Sequence, residues 1–394
     1  KPHMILHVGA PKCGSSALQT VLSHSPDLKG HDGTKYRYTA ALNLSEGISV
    51  RAGSSLSKSA RLSPYGYATW PNFGPKIDSP SIFRAMQATL KKGLRCGFVP
   101  ILSCEGWIGH HTLFAQALAD WGHPPVDVVV FLRPVADWTN AAYWQWGIWS
   151  VQDIDRWLAR NNMNYAFGQD VAIWTKIPNV RVIVRSMRPD VISTFSALYD
   201  LRLKNDRRHN TASPAALIGF LMRNRHFRPT GHEASTEFVV QRWCSFGVDG
   251  SKLWALGPRQ IRSLRPVASE TLKHLQTVMT PEDFETLLAD PRWESETPYH
   301  SDIIAGLTRL DDPEGAAALY WGLCEGLKRA FEAAGLSLPD CPSPPTSPVY
   351  AHDWDTAIAT VLEMLLWVDE YERHNTVPFW HRKLASYLGL RKQA

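Results

Sequence analysis

Three stretches of the chain carry residue types that could hold a phosphate and move a proton. The first is His7 to Gln19, which reads HVGAPKCGSSALQ. An apolar lead-in meets a loop with glycine, proline and lysine, and two serines stand where a helix should begin. The free N–H groups of such a helix start, with the positive end of its dipole, attract an anion held over the loop. Gly9 and Gly14 let the backbone come close, Lys12 adds a mobile positive charge, and Ser15 and Ser16 add hydroxyls. The same string would also suit an ordinary strand–loop–helix corner. The second stretch is an apolar run to Leu132, followed by Arg133-Pro134 and a helical pattern to Trp146. A guanidinium there can meet a phosphate with two parallel hydrogen bonds. The third is Ile101-Leu102-Ser103-Cys104-Glu105. A carboxylate straight after a buried strand could take a proton from an attacking hydroxyl, or could cap the next helix or pair with a base. His7, His31, His110 and His111 are alternative proton acceptors, and His7, beside the loop, is the best placed of them.

For these residues to act together, an α/β scaffold must bring three strand ends to one edge. The apolar runs 5–8, 96–103, 126–132 and 180–184 read as strands. Helical spacing over 15–24, 81–92, 113–120, 136–146 and 189–198 lies between them, the alternation of a parallel sheet with crossover helices. Ligands in such sheets bind at the carboxyl ends of the strands. Residues 29–76 break the rhythm, being rich in Ser, Gly, Tyr and Arg, and read as an insertion: a substrate-facing flap or a disordered surface loop. An α/β domain over 4–290 is expected, then a helical continuation over 291–338, a proline-stiffened linker over 339–350 and a helical appendage over 351–394, with its helix at 356–372. The residues ahead of Met4 are set aside in this reading.

The order of residues in the loop discriminates among anion-binding motifs. A Walker A loop carries Gly-Lys-Ser/Thr, whereas here Lys12 precedes Gly14 by two positions, and the G-x-G-x-x-G pattern of dinucleotide sites is also missing. Lys12-Cys13-Gly14-Ser15-Ser16 resembles instead the 5′-phosphosulfate loop, Lys-x-Gly-Thr/Ser-Thr/Ser, of sulfotransferases that use 3′-phosphoadenosine-5′-phosphosulfate. The strand ending in Arg133 resembles that family's 3′-phosphate site, with Tyr143 in register but Ala141 where a serine is usual; Asn140 or Thr139 could substitute. Glu105 stands where carbohydrate-type members carry their general base. Arg207-Arg208-His209-Asn210-Thr211-Ala212-Ser213 resembles a polar loop that closes over the nucleotide in bacterial members, and would also suit a solvated basic loop. The resemblance covers roughly residues 4 to 225.

The resemblance implies a P-loop-like parallel sheet flanked by helices and sulfuryl transfer to a hydroxyl, on an oligo- or polysaccharide acceptor. It implies a nucleotide donor held by Pro11, Lys12, Cys13, Gly14, Ser15, Ser16, Arg133, Asn140 and Arg208, with Lys12 and Glu105 (or His7) catalytic and no metal required. A nucleotide kinase and a non-catalytic nucleotide-binding module are the rival readings.

Composition is compatible with all three. The 394 residues are 44% hydrophobic, enough for a sizeable core. A net charge of +5 without any basic run suits an anionic small ligand and argues against nucleic acid. Six scattered cysteines form neither a zinc spacing nor a disulfide framework, so a reducing, cytoplasmic setting is expected. No stretch reaches the length of a membrane span. The sixteen tryptophans read chiefly as core filling; Trp70, Trp107, Trp144 and Trp146 could alternatively line a sugar-stacking groove.

Overall fold

The computed structural model describes residues 1–44, 47–74, 78–160, 165–203, 213–246 and 253–375. They fall into two compact units. One draws on Lys1–Ala60, Tyr67–Asn210 and Trp254–Leu307, the other on Arg61–Gly66, Thr211–Leu253 and Thr308–Ala394.

The first unit is α/β. Its sheet comprises β1 (Met4–Gly9), β2 (Asp27–Lys29), β3 (Lys35–Leu44), β4 (Gly47–Ala52), β5 (Val99–Glu105), β6 (Val126–Leu132) and β7 (Val180–Ser186). The order is β2-β3-β5-β1-β6-β7, with β4 paired to β3. Pairing is parallel from β3 through β7, and β2 and β4 run antiparallel to β3. β1 and β6 are buried along their whole length, as central parallel strands covered on both faces must be. From β1 the chain runs outward to β3, returns to β5 beside β1, then crosses to β6 and β7 on the other side. The winding therefore reverses at β1, where open α/β sheets bind their ligands.

The expected strands and helices recur here with small shifts at their ends, and residues 29–76 are the main departure. They are neither a flap nor an irregular loop: they build β3, which pairs with β5 inside the main sheet, its neighbour β4, and the helix α2 (Gly53–Leu62). Tyr36, Tyr38, Thr39 and Ala40 are buried in β3, so aromatic and small side chains form a core strand that lacks the usual Val/Ile signature. The helix expected over 136–146 also differs. It is α-helical as α5 (Val135–Ala142) and then widens into a π-helical turn, Tyr143–Gly147. Between α2 and α5 lie α3 (Ser79–Cys96) and α4 (His111–Asp120); α1 (Ser15–His24) follows β1 directly.

The second unit is helical, with Ala215–Arg223, Ser235–Trp243, Pro313–Ala334 and Asp355–Asn375 as its longer helices. Its core includes Leu217, Phe220, Val240, Leu323, Leu327, Ile358 and Leu362. This division corrects the expected boundaries. Residues 213–246 leave the α/β domain to join 308–375, while 254–307 stay with the sheet. The helix at Asp355–Asn375 is a core member of its unit rather than an appendage, because Ile358, Val361, Leu362, Leu365 and Val368 are wholly buried. The proline-rich stretch is free of helix and strand, as expected, but the Tyr320 hydroxyl donates to the Pro342 carbonyl and ties it down within the unit. The end of the expected appendage, 376–394, lies outside the described residues.

Candidate functional site

Sheet register brings the three sequence motifs to one edge. Gly9 at the end of β1 aligns with Glu105 at the end of β5, and the Gly106 N–H donates to the Gly9 carbonyl at 2.7 Å. β6 flanks β1 on the other side and delivers Arg133. Lys12 is where they meet. Its backbone N–H donates to Glu105 Oε1 at 3.0 Å, and its carbonyl accepts from Arg133 Nη1 at 3.0 Å. Its ammonium donates to Gln145 Oε1 at 3.1 Å. The Trp138 indole N–H adds a bond to the Pro11 carbonyl at 2.8 Å. Lys12 itself sits at φ 61°, a left-handed conformation that is costly for a side chain with a Cβ. The bonds from Glu105 and Arg133 to its backbone, and from Trp138 to the Pro11 carbonyl before it, hold it there.

Because the loop's own polar groups are tied from outside, the start of α1 is left open. No side chain among the described residues caps this helix and its first turn has no acidic residue; its leading N–H groups, like those of any helix, lack an intrahelical acceptor. Gly14 precedes it at φ 89°, and a Cβ there would come within 2.7 Å of Val191 Cγ1. A Cβ on Gly9 would lie 2.2 Å from Ser15 Oγ. Glycine is thus required at both positions, once for conformation and once for close approach. Ser15 is buried, and its hydroxyl has no partner among the described residues. A buried, unsatisfied hydroxyl at an uncapped helix start fits an anion acceptor.

The other expected site residues divide sharply. Ser16 is half-buried at the same helix start. Arg133 uses one N–H on Lys12, while its buried Nε has no partner among the described residues. Glu105 is half-buried, and its second oxygen, Oε2, has no hydrogen bond to a described residue. Pro11 contributes a carbonyl to Trp138 and, as proline, no donor to an anion. Cys13 is buried, and burial pushes its thiol up to about 12 against the smaller opposing effect of Arg133, leaving an inert core group. Asn140 is removed from the nucleotide-binding set: it is buried, and its Oδ1 accepts from the Ala255 N–H at 2.9 Å. Thr139 is fully buried and donates to the Val135 carbonyl at 2.8 Å. Neither can replace the serine missing at Ala141. Arg208 lies outside the described residues.

His7 is removed from the role of base. It sits in mid-strand, 1% exposed, with Nδ1 2.7 Å from Ser103 Oγ. Burial lowers its pKa to about 4, so the ring is neutral and shielded from any acceptor. It belongs to a buried network in which Gln19 Nε2 donates to Ser103 Oγ at 2.9 Å and to Thr69 Oγ1 at 3.0 Å. His111 lies 3.4 Å from Asp170, and His31 is exposed near β2. Of the named tryptophans, Trp70, Trp107 and Trp144 are buried, which corrects the groove alternative for those three; Trp146 is half-exposed.

Sequence reasoning missed Gln145, Trp138 and Tyr165, the last of which donates its hydroxyl to the Arg133 carbonyl. All three act on loop or strand-end groups that only the fold brings near. A cavity of about 660 Å³ in the same unit is lined by Val135, Ala136, Ile261, Leu264 and Arg292 among others, and by none of Lys12, Glu105 and Arg133. The six cysteines are free, and no helix among the described residues is long and apolar enough to cross a membrane. No family model matches this chain, and no curated protein or solved structure is significantly similar to it.

Proposed function

We propose that this chain is a sulfotransferase that moves a sulfuryl group from 3′-phosphoadenosine-5′-phosphosulfate to an acceptor hydroxyl. The observation that carries the reading is the convergence on Lys12, in the loop that leads into the uncapped start of α1: the Glu105 carboxylate at the end of β5 and the Arg133 guanidinium just past β6 both bond to its backbone. The free N–H groups of α1 and the unpartnered Ser15 hydroxyl would take the 5′-phosphosulfate oxygens. The Arg133 guanidinium, whose Nε has no partner among the described residues, would hold the second phosphate.

In the reaction, the acceptor oxygen attacks sulfur in line as the bond from sulfur to the bridging oxygen breaks. The negative charge that develops on the departing phosphate is countered by the Lys12 ammonium, which exerts its effect because it is already in place. The acceptor proton passes to Glu105 Oε2, while Oε1 stays anchored on the Lys12 N–H. A saccharide hydroxyl is the acceptor we favour, on the strength of the carboxylate base at this position in carbohydrate-type members and of half-exposed Trp146 next to Gln145.

Labelled donor incubated with a panel of oligo- and polysaccharides tests the reading, with Lys12→Ala as the blank. Sulfated product is expected from the wild-type chain, reduced about 10²–10³-fold by Lys12→Ala, the cost of losing one donor aimed at developing charge. Stabilisation by ATP with magnesium, together with none by 3′,5′-adenosine bisphosphate, would overturn it in favour of a kinase.

A further inference from the structure

The extra residue of the π-helical turn Tyr143–Gly147 is the most unusual backbone feature near the site. Such turns are rare, appear mostly as single-turn bulges inside α-helices, and are frequent at functional sites. One added residue rotates the rest of the helix by about one helical position, roughly 100°. Here the re-aimed side chain is Gln145, whose Oε1 accepts from the Lys12 ammonium across 133 positions of sequence. The turn is itself pinned: the Tyr143 hydroxyl donates to the Gln152 carbonyl, and a Cβ on Gly147 would press on Tyr143 and Trp157.

We infer that Gln145 is a positioning residue for the transfer: it orients the Lys12 ammonium over the loop before the donor arrives. The inference rests on the sulfotransferase reading and adds a role to it. An ammonium has three N–H donors on a stem with four rotatable bonds. Anchoring the ammonium on a neutral amide fixes its direction in advance and removes most of the ordering cost at the moment of binding. A neutral acceptor suits this task better than a carboxylate, which would repel the incoming anion.

The test is a double-mutant cycle on equilibrium binding of 3′-phosphoadenosine-5′-phosphosulfate, read by calorimetry, with the variants Gln145→Met, Lys12→Ala and the pair. Methionine keeps the length and volume of glutamine without its acceptor. Gln145→Met is expected to weaken donor binding about three- to tenfold in the wild-type background, and by less than about twofold when Lys12 is already alanine. Equal losses in both backgrounds would overturn the inference, since a residue that merely packs the turn acts regardless of Lys12. Gln145→Glu supplies a second readout in case the methionine variant unfolds. It keeps the acceptor oxygen but adds charge, so donor binding should fall at neutral pH and recover as the solution is acidified toward protonation of the new carboxyl. A pH-independent loss would count against the inference. A wild-type chain that binds no donor would sink the sulfotransferase reading itself, an outcome distinct from either of these.

Discussion

Arg133 in the sheet unit and Arg228 in the helical unit use the same side chain in opposite ways. Arg228 is completely buried, and each of its three guanidinium nitrogens has a partner: it pairs with Glu237 and donates to the carbonyls of Thr230, at 3.4 Å, and Gly231, at 3.0 Å. Glu237 is completed in turn by the Ser213 hydroxyl at 3.1 Å. Arg133 spends one N–H on the loop and leaves Nε buried without a partner among the described residues. Ser15, on the same loop, is likewise buried and unsatisfied. A closed network serves the fold, because each polar group has been compensated for leaving water. An open one at a helix start keeps binding capacity for something that arrives later.

This contrast can be broken in order of expected size. Arg228→Met strands the buried Glu237 carboxylate and should cost about 3–5 kcal/mol of stability; a melting temperature close to that of the wild type would show that the pair is dispensable. His7 comes next. Its folded pKa is depressed from 6.5 to about 4, so between these values the unfolded chain binds more protons than the folded one. Its contribution is therefore complete above about pH 6.5 and lost as pH falls toward 4, on the order of 3 kcal/mol at most. Urea unfolding across about pH 4–7 should give a shallower acid slope for His7→Asn than for the wild type, and identical slopes would refute the burial argument. Arg133→Met should lower stability by only about 1 kcal/mol, one hydrogen bond's worth, yet weaken 3′,5′-adenosine bisphosphate at least about tenfold, the charge-assisted contact being lost. Titration and thermal melting of the same sample separate the two effects. The smallest change is expected for Ser15→Ala, with stability unchanged or slightly raised because an unsatisfied hydroxyl is removed, and affinity down about fivefold. A clear loss of stability there would mean that the hydroxyl already serves the fold.

Much of the scaffold was legible because the central strands of a parallel sheet are continuous apolar runs. Val126–Leu132 is bounded in the structure as the sequence predicts, and α1 begins at Ser15 as its serines suggest. β3 escaped detection because a strand containing Tyr36, Tyr38, Thr39 and Ala40 is buried by its neighbours, a property of the pairing with β5 and β4 and not of its own residues. Asn140 shows the same limit at the site. An amide on a helix looks alike from sequence whether it faces a ligand or, as here, the Ala255 backbone.

By itself the sequence determined the chemistry on offer: a loop whose glycines, lysine and serines can cradle an anion, and a carboxylate and a guanidinium each placed at or just past the end of an apolar strand. These are local properties, governed by backbone freedom, charge and hydrophobic spacing over a short stretch of chain. Only the tertiary structure decided that Glu105, Arg133 and Gln145 all close on Lys12, because strand order, register and the π-helical turn set distances across 93 to 133 positions. It also decided which polar groups stay open, since burial and partners are properties of the packed whole.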